Sequence, residues 1–346
     1  MQSFISIISP VYNTPADCFD RFVSSVLGQT LRNFELILVD DGSASDCAER
    51  CDGAAKRDTR VRVIHQQNAG FAGAMNAGIN AARGEYIMFV DPDDEIPPFA
   101  LEHALQISEE NKSDMVCSSL TLRYPSKDIV GSFDLEPSEV KVLNCDELEA
   151  YRVFCLTSLL PKNAPQWFSN GLGRGHVAKL IKKELFNDVR LVPTMCAGSD
   201  SLMVAELLSR ARCVTLVNES WYYYYMNSFS VTHNYSYEKD EREFRSMDSC
   251  REKYGADFNA ACFARYCDTA SCVSAAGFSA WRGLSKHLTS SRALRVFKGF
   301  DQEKERYELS RARSVASWLG ARKLGAAIAL LYCMRAKLHA ERGDAF

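Results

Sequence analysis

A buried strand that ends in a cluster of carboxylates constrains this 346-residue chain more than any other stretch. Residues 86–90 are apolar or aromatic, which predicts a strand covered on both faces of a sheet. Asp91, Asp93 and Asp94 follow directly, and carboxylates this close together repel one another. A divalent cation, Mg²⁺ or Mn²⁺, prefers such oxygens and would relieve the repulsion. The stretch therefore predicts a metal that holds a nucleotide diphosphate at Asp91 and Asp93; the alternative is an acidic loop capping a helix that begins near 97–98.

Strand and helix patterns alternate through the first part of the chain. Apolar runs predict strands at residues 4–8, 34–39, 61–65 and 86–90, with helical spacing of apolar residues between them. This alternation predicts an α/β fold, a mostly parallel, Rossmann-like sheet with helices on both faces. The carboxyl ends of parallel strands share one edge, so the loops at 10–14, 40–43 and 91–94 should form a single ligand-binding crevice.

Two other nucleotide-binding motifs do not fit this sequence. It contains no Gly-x-x-x-x-Gly-Lys-Ser/Thr segment, which excludes a P-loop. The glycine-rich segment 171–175 lies outside any βαβ unit, so we interpret it as a flexible loop and not as a dinucleotide-binding turn.

The composition of the chain indicates which partners and which cellular compartment to expect. The net charge of −3 gives no broad basic face for nucleic acid. The thirteen scattered cysteines favour reduced thiols in a cytoplasmic protein. The chain starts directly with a strand and not with a signal peptide. Its longest apolar run, 324–334, is shorter than the roughly 18 residues of a membrane span.

Several motifs, in a characteristic order and spacing, resemble those of the family 2 glycosyltransferases of the GT-A fold. The matching residues are 5–13, 25–30, 35–43, 68–70, 76–78, 84–87 and 91–94. The resemblance extends over about residues 3–235 and implies a catalytic domain over residues 1–235. Its nucleotide-sugar-binding half would be 1–120 and its acceptor half 121–235, followed by a helical C-terminal region over 236–346.

The resemblance implies a donor site in the first half. The residues placed at the nucleotide sugar are Pro10, Tyr12, Asp41, Asn68 and Asp91. Tyr12 would lie against the base and Asp41 would accept hydrogen bonds from the nucleoside. Asp93 would bind the metal directly, and Asp91 would hold the ribose or the water shell of the metal. The alternatives are loop packing for Tyr12, a turn or a helix cap for Asp41, and a loop-internal hydrogen bond for Asn68.

The second half is predicted to supply the base and the acceptor side. Asp200 falls on the family's general base, although Ser199 stands where Glu is usual. The alternative is that Ser199 or Asp200 caps a helix over 202–211. His176 and Lys179 fall on the segment that lines the acceptor, where the usual aromatic is missing and a surface-turn role for Lys179 stays open. His233 would be a third metal ligand or contact the diphosphate; the alternative is a solvated surface histidine.

The region after about residue 237 reads as helical, with mixed charge and no strand pattern. Residues 292–300 and 311–338 combine basic and apolar side chains, and the second stretch predicts an amphipathic helix. Two interpretations stay open. The helix contacts a membrane surface to reach a lipid-linked acceptor, or it packs on the catalytic domain or on a second subunit of a homodimer.

The predicted function is transfer of a sugar from a nucleotide donor, with UDP favoured, to an acceptor hydroxyl by a metal-dependent inverting displacement. The acceptor would be a glycan or lipid-linked glycan of a bacterial surface or capsular polysaccharide, made in the cytoplasm or at the inner face of the membrane. One alternative is a nucleotidyltransferase, although the glycine-rich loop it needs after the first strand is missing. Another is a degenerate sugar-nucleotide binder, which Ser199 and Met226, at a position where Arg is common, keep open.

Overall fold

The computed structural model describes residues 3–124, 127–131, 135–136, 138–162, 164–165, 173–195, 198–226, 237–274 and 281–342. The chain divides into two compact units. The first comprises Met1–Arg152 and Pro165–Asn227, and the second comprises Val153–Ala164 and Ser228–Phe346.

Eleven strands are formed by the described residues. They are β1 (Ile5–Val11), β2 (Phe34–Asp40), β3 (Val61–His65), β4 (Tyr86–Phe89), β5 (Met115–Arg123), β6 (Asp128–Val130), β7 (Val140–Val142), β8 (Leu160–Pro161), β9 (Lys179–Lys182), β10 (Val214–Tyr225) and β11 (Tyr307–Glu308). Nine of them form the sheet of the first unit in the order β3-β2-β1-β4-β9-β5-β10-β7, with β6 paired to β5. Strands β1 to β4 are parallel to their neighbours among themselves, and β9 is antiparallel to both β4 and β5.

The α-helices follow the predicted alternation in the first half and dominate the second. They are α1 (Ala16–Leu27), α2 (Ser45–Arg57), α3 (Gly70–Ala81), α4 (Ala100–Asn111), α5 (Cys145–Thr157), α6 (Ser199–Leu208), α7 (Tyr237–Ser249), α8 (Arg251–Tyr254), α9 (Phe258–Ser274), α10 (Trp281–Leu288), α11 (Ser291–Glu303), α12 (Arg311–Ala321) and α13 (Gly325–Arg342). The α/β sheet with flanking helices and the helical C-terminal part are therefore confirmed.

The register of the parallel strands explains how the site is positioned. Val11 in β1 lies opposite Asp40 in β2, and Ile8 lies opposite Phe89 in β4. The residues that follow these strands consequently emerge at one edge of the sheet. The helices cover the sheet with apolar faces; α1, for example, buries Phe19, Phe22, Val23 and Val26 at helical spacing.

Three elements of the first unit differ from the sequence predictions. Strand β9 was not predicted, and it lies between β4 and β5 in the middle of the sheet. Helix α3 begins at Gly70, whose φ is +74°, and the sequence pattern carried no signal for this start. Helix α6 begins at Ser199 and not at 202, and its N-cap is Gly198 with φ +79°. The prediction that Ser199 or Asp200 caps this helix is therefore wrong.

The second unit packs its helices around aromatic side chains. Phe263 of α9 stacks on Phe300 of α11 with ring centroids 4.0 Å apart. Strands β8 and β11 pair antiparallel, a short ladder that the helical pattern did not predict. The predicted single helix over 311–338 is wrong, because Lys323, with φ +62°, separates α12 from α13. Ile328 and Tyr332 of α13 are buried. None of the helices in the described part of the chain is long and apolar enough to cross a membrane.

Candidate functional site

The acid cluster follows β4, in the middle of the sheet, and its three carboxylates differ in environment. Asp94 is only 1% exposed; it accepts hydrogen bonds from the Tyr222 hydroxyl at 2.7 Å and the Tyr225 backbone N–H at 2.8 Å. Burial and the charges of Asp91 and Asp93 raise the pKa of Asp94 well above its usual value. Asp94 therefore anchors the cluster to β10, whereas Asp91 and Asp93 are partly exposed at the edge.

A buried histidine joins the acid cluster to Asp200. His176 is 6% exposed; its Nε2 lies 3.0 Å from Asp91 Oδ1 and its Nδ1 lies 3.2 Å from Asp200 Oδ2. Its ring packs against Phe89 and Phe71, with centroids 5.8 and 5.3 Å away. Ionised carboxylates only accept hydrogen bonds, so both ring nitrogens donate and the ring is an imidazolium.

Charge, and not burial, decides the protonation of this pair. Burial disfavours the charged ring, but the charge of Asp91 and the hydrogen bonds to Asp200 and Asp91 raise the pKa of His176 to about 10. Burial would also raise the pKa of Asp200, but the hydrogen bond and charge of His176 lower it to about 2. Asp200 is consequently an anion across the physiological range.

Local backbone features position Asp200. It lies in the first turn of α6, just after the left-handed Gly198. Ser199, at the position where Glu was expected, is buried and its hydroxyl bonds both the N–H and the carbonyl of Val192, at 2.7 and 3.2 Å. A Cβ on Gly175 would collide with the Asp200 carboxylate, so only glycine lets the backbone pass this close.

Lys179 supports the backbone beside His176. The side chain is 1% exposed, and its Nζ donates to the carbonyls of Gly173, Gly175 and Val177 at 2.9, 2.7 and 3.2 Å. All three ammonium protons therefore have partners inside the protein. The surface-turn alternative for Lys179 is wrong, because the side chain is buried, whereas its acceptor-side role stays a prediction. His176 is likewise buried, between two carboxylates, and its acceptor-side role also stays a prediction.

The nucleoside-side candidates lie at the ends of β1 and β2. Asp41 is 3% exposed, and its Oδ1 accepts hydrogen bonds from Gln66 Nε2 at 2.7 Å and from the Ala69 N–H at 2.8 Å. The turn role considered for Asp41 belongs to Asp40, whose Oδ1 accepts from the Ser43 N–H at 3.0 Å. Tyr12, directly after β1, is 57% exposed.

Pro10 and Asn68 are the remaining candidates at this edge of the sheet. Pro10 lies inside β1, paired in register with Val39, and is not in the loop that was predicted to begin there. Asn68 is exposed. Gly42, with φ +75°, turns the chain after β2 so closely that a Cβ would lie 3.0 Å from the Asn68 nitrogen.

Comparison with known proteins matches residues 6–148 to the family model described as glycosyl transferase family 2. Glycosyltransferase GlyG of Streptococcus pneumoniae serotype 4 is 34% identical over 233 residues, covering 67% of this chain and 73% of GlyG. The chain belongs to glycosyl transferase family 2. The uncharacterized glycosyltransferase EpsJ of Bacillus subtilis is 43% identical over 116 residues, about a third of each chain.

Solved structures extend the likeness in fold to nearly the whole family 2 chain. Residues 1–349 of S. aureus TarS, crystallised in complex with UDP-GlcNAc, superpose with a TM-score of 0.63 over 99% of this chain and 93% of TarS. The sequence identity is 16%, so the match carries the fold alone. The predicted GT-A class is confirmed.

The donor set of this family 2 glycosyltransferase fits a hard divalent cation. Asp91 and Asp93 follow β4 at the sheet edge, where they are partly exposed and offer carboxylate oxygens, the ligands that such an ion prefers. In the described ranges no three His, Cys, Asp or Glu side chains are grouped to hold an ion by themselves. An ion with two protein carboxylates would complete its shell with substrate phosphates and water, as Mg²⁺ usually does.

The sequence did not indicate three residues that shape the candidate site. Arg21 of α1 donates to the Asp93 carbonyl at 2.8 Å and lies 3.9 Å over the Tyr225 ring. Phe71 packs on His176 although it is 41% exposed. Tyr222 binds Asp94, but nothing within a run of four tyrosines marked it. His233, predicted as a metal ligand, lies outside the described residues.

Proposed function

We propose that this glycosyltransferase moves a sugar from a nucleoside diphosphate, with UDP as the nucleotide, to an acceptor hydroxyl with inversion at the anomeric carbon. One observation carries the proposal: Asp91 of the acid cluster and Asp200 of α6 bind the same buried imidazole. A candidate donor-side acid and a candidate base are therefore held in one site. The fold neighbour TarS, crystallised with UDP-GlcNAc, supports UDP as the nucleotide.

The nucleoside would bind at the ends of β1 and β2. The exposed Tyr12 ring offers a stacking surface for the base. Asp41, fixed by Gln66 and the Ala69 N–H, would accept hydrogen bonds from the nucleoside with its remaining lone pairs. Pro10 and Asn68 would line the same donor pocket.

Asp91 and Asp93 would hold Mn²⁺ or Mg²⁺ together with the diphosphate, and His233 is a further candidate ligand. When bound, the ion would stabilise the negative charge that develops on the diphosphate as the sugar–phosphate bond breaks. The protein's own contribution is to position these two residues. The imidazolium of His176 binds the Asp91 carboxylate, and Arg21 binds the backbone carbonyl of Asp93.

Asp200 would accept the proton of the attacking hydroxyl. The oxygen–carbon bond to the acceptor forms, the sugar–phosphate bond breaks, and the nucleoside diphosphate leaves with the electron pair. His176 keeps Asp200 ionised, and it also makes that carboxylate a weak base. Proton transfer is therefore favoured late, when the bond to an oxocarbenium-like carbon has made the hydroxyl acidic.

We also propose an acceptor and a cellular place for the reaction. The acceptor would be a glycan or lipid-linked glycan of a bacterial envelope polysaccharide, reached in the cytoplasm or by peripheral contact of the C-terminal helices with the inner face of the membrane. We also propose residues 1–235 as the catalytic domain, residues 236–346 as a helical region, and a homodimer as the assembly. Limited proteolysis and light scattering of the full chain test these last points.

A donor screen tests the function. Melting temperatures are measured with UDP-, GDP-, CDP- and dTDP-sugars, each with Mn²⁺ or EDTA, for the wild type, Asp93→Asn and the control Asp188→Asn. We expect stabilisation by the UDP-sugar with Mn²⁺ only, retained in D188N and lost in D93N; a ligand at 100 times its Kd adds about 2.7 kcal/mol. Release of UDP and the anomeric configuration of the product, by NMR, then test turnover and inversion. Absence of any nucleotide-dependent shift would refute the proposal, and binding without turnover would indicate a degenerate binder.

A further inference from the structure

The two parts of the sequence carry opposite charge. Residues 237–346 contain 20 Lys and Arg against 14 Asp and Glu, a net charge of +6, although the whole chain carries −3. Residues 1–236 therefore carry −9. An excess of cationic side chains on one region indicates an anionic partner for that region.

Within the second unit the cationic side chains converge on a cleft between helices. The cleft has a volume of about 180 Å³ and is lined by Asp248, Arg251, Phe258, Asn259, Cys262, Arg292, Arg295 and Val296. One water molecule needs roughly 10–15 Å³ of such space, so the cleft admits a group of several heavy atoms.

The arginines are arranged by fixed contacts. Arg251 lies 3.7 Å over the ring of Phe258, and both Arg251 and Arg292 pair with Asp248, at 3.4 and 2.9 Å. Arg295 follows Arg292 by three residues on α11, so both side chains leave the same face of that helix. Among the described residues, Arg295 has no ion-pair partner.

The charge balance of the cleft indicates its ligand. Three guanidinium groups face one carboxylate, which leaves two positive charges beside Asn259, a neutral donor. Guanidinium groups match the oxygens of phosphate with paired N–H donors. Burial raises the pKa of Cys262 to about 12, so the neighbouring thiol stays neutral and does not repel an anion.

We propose that this cleft is a binding site for one phosphate group, carried by a soluble organic phosphate, by an anionic glycan or by a lipid headgroup. The proposal stands on the second unit alone and does not depend on the donor chemistry proposed for the first. A phosphate bound there would replace water around Arg295 and neutralise the excess charge of the cleft.

The test uses the full chain in EDTA, with two probes: methyl phosphate by isothermal titration, and sedimentation with phosphatidylglycerol vesicles against phosphatidylcholine vesicles. The variants are Arg295→Gln and Arg251→Gln, and the matched control is Lys298→Gln, an exposed cation on α11 that does not line the cleft. Because a lost bond to a charged group weakens binding by at least about tenfold, we expect that loss in R295Q and R251Q but not in K298Q.

The two probes distinguish the sources of the phosphate. Saturable methyl phosphate binding that R295Q weakens supports the site and indicates a soluble or glycan phosphate. Binding to phosphatidylglycerol alone, weakened in R295Q and not in K298Q, supports the site with a lipid headgroup. Absence of binding to both probes, or an equal loss in K298Q, overturns the proposal. Loss of UDP-sugar binding without any change here would refute only the proposed function.

Discussion

The first unit contains two histidines that each bridge two aspartates, in different surroundings. His65, at the end of β3, lies 2.7 Å from Asp40 and 3.0 Å from Asp52, and its side chain is 46% exposed. His176 contacts Asp91 and Asp200 at similar distances, but it is 6% exposed. The pairing is the same, and the difference is access to water.

That difference separates a surface contact from a site-building contact. At His65, water reaches the exposed ring and can take over its hydrogen bond to Asp52, although Asp40 itself is buried, so we expect this contact to contribute only modest free energy. At His176, removal of the ring would leave two carboxylates partly desolvated, close together and without their cation. We infer that burial, and not the Asp–His–Asp pattern, makes His176 a positioning residue for Asp91 and Asp200.

The prediction with the largest expected effect tests whether Asp200, one of the two aspartates that His176 joins, acts as the general base. Asp200→Asn keeps the shape of the side chain but removes its basicity, and general-base catalysis contributes about 10²- to 10⁴-fold. We expect kcat to fall by about that factor with little change in donor KM. Steady-state UDP release measures both constants. The matched control Asp188→Asn changes an exposed aspartate outside the site. A kcat for D200N within threefold of the wild type would remove Asp200 from the mechanism.

The second prediction concerns the backbone that carries the buried bridge. Lys179→Met leaves the carbonyls of Gly173, Gly175 and Val177 without their donor, which should lower the free energy of unfolding by roughly 2–4 kcal/mol. Lys183→Met is the control, because among the described residues the Lys183 side chain donates one hydrogen bond, to the Ala82 carbonyl. Its expected cost is about 1 kcal/mol. Urea unfolding compares the two, and equal losses would show that Lys179 has no special supporting role.

The third prediction compares the two bridges directly. His176→Gln cannot donate to both aspartates as the imidazolium does, so Asp200 loses its fixed orientation. Loss of one hydrogen bond to a charged group lowers kcat by roughly 10- to 100-fold. His65→Gln should leave kcat within about threefold. In His176→Gly, added imidazole should restore part of the activity, a rescue that general destabilisation would not give. Equal losses in H176Q and H65Q would refute the comparison.

The fold was predictable where the sequence is locally regular. Apolar runs and turn residues are consistent over the first 95 residues, so β1 to β4 and their parallel arrangement followed from the pattern. Strand β9 did not, because its four residues, Lys-Leu-Ile-Lys, are too few to give a periodic signal and its place is decided by pairing with β4 and β5. The break at Lys323 was hidden for a similar reason: a lysine carries no turn signal.

The candidate site was predictable as a set of strand ends but not as contacts. The crowding of Asp91 and Asp93 in the sequence predicted an acidic site, and the roles of Asp41 and Asp200 followed from the resemblance to the family. The bridge by His176 needed three-dimensional information, because it joins residues 85 and 24 positions away. The burial of Lys179 was not predictable, since a lysine usually faces water and only the three converging carbonyls explain why this one does not.

The smallest expected effect tests the exposed bridge by pH. The hydrogen bonds to Asp40 and Asp52 raise the pKa of His65 above its ordinary value of about 6.5. A raised folded-state pKa stabilises the protein fully below the unfolded-state value, and this stabilisation is lost as pH rises through the folded-state value. The difference in unfolding free energy between wild type and H65Q should therefore be largest near pH 5–6, stay below about 1 kcal/mol because the His65 ring is exposed to water, and shrink at higher pH. Urea unfolding from pH 5 to 9 measures it. A difference that grows with pH would mean that His65 is bound as the neutral ring, and the likeness between the two bridges would then end at their geometry.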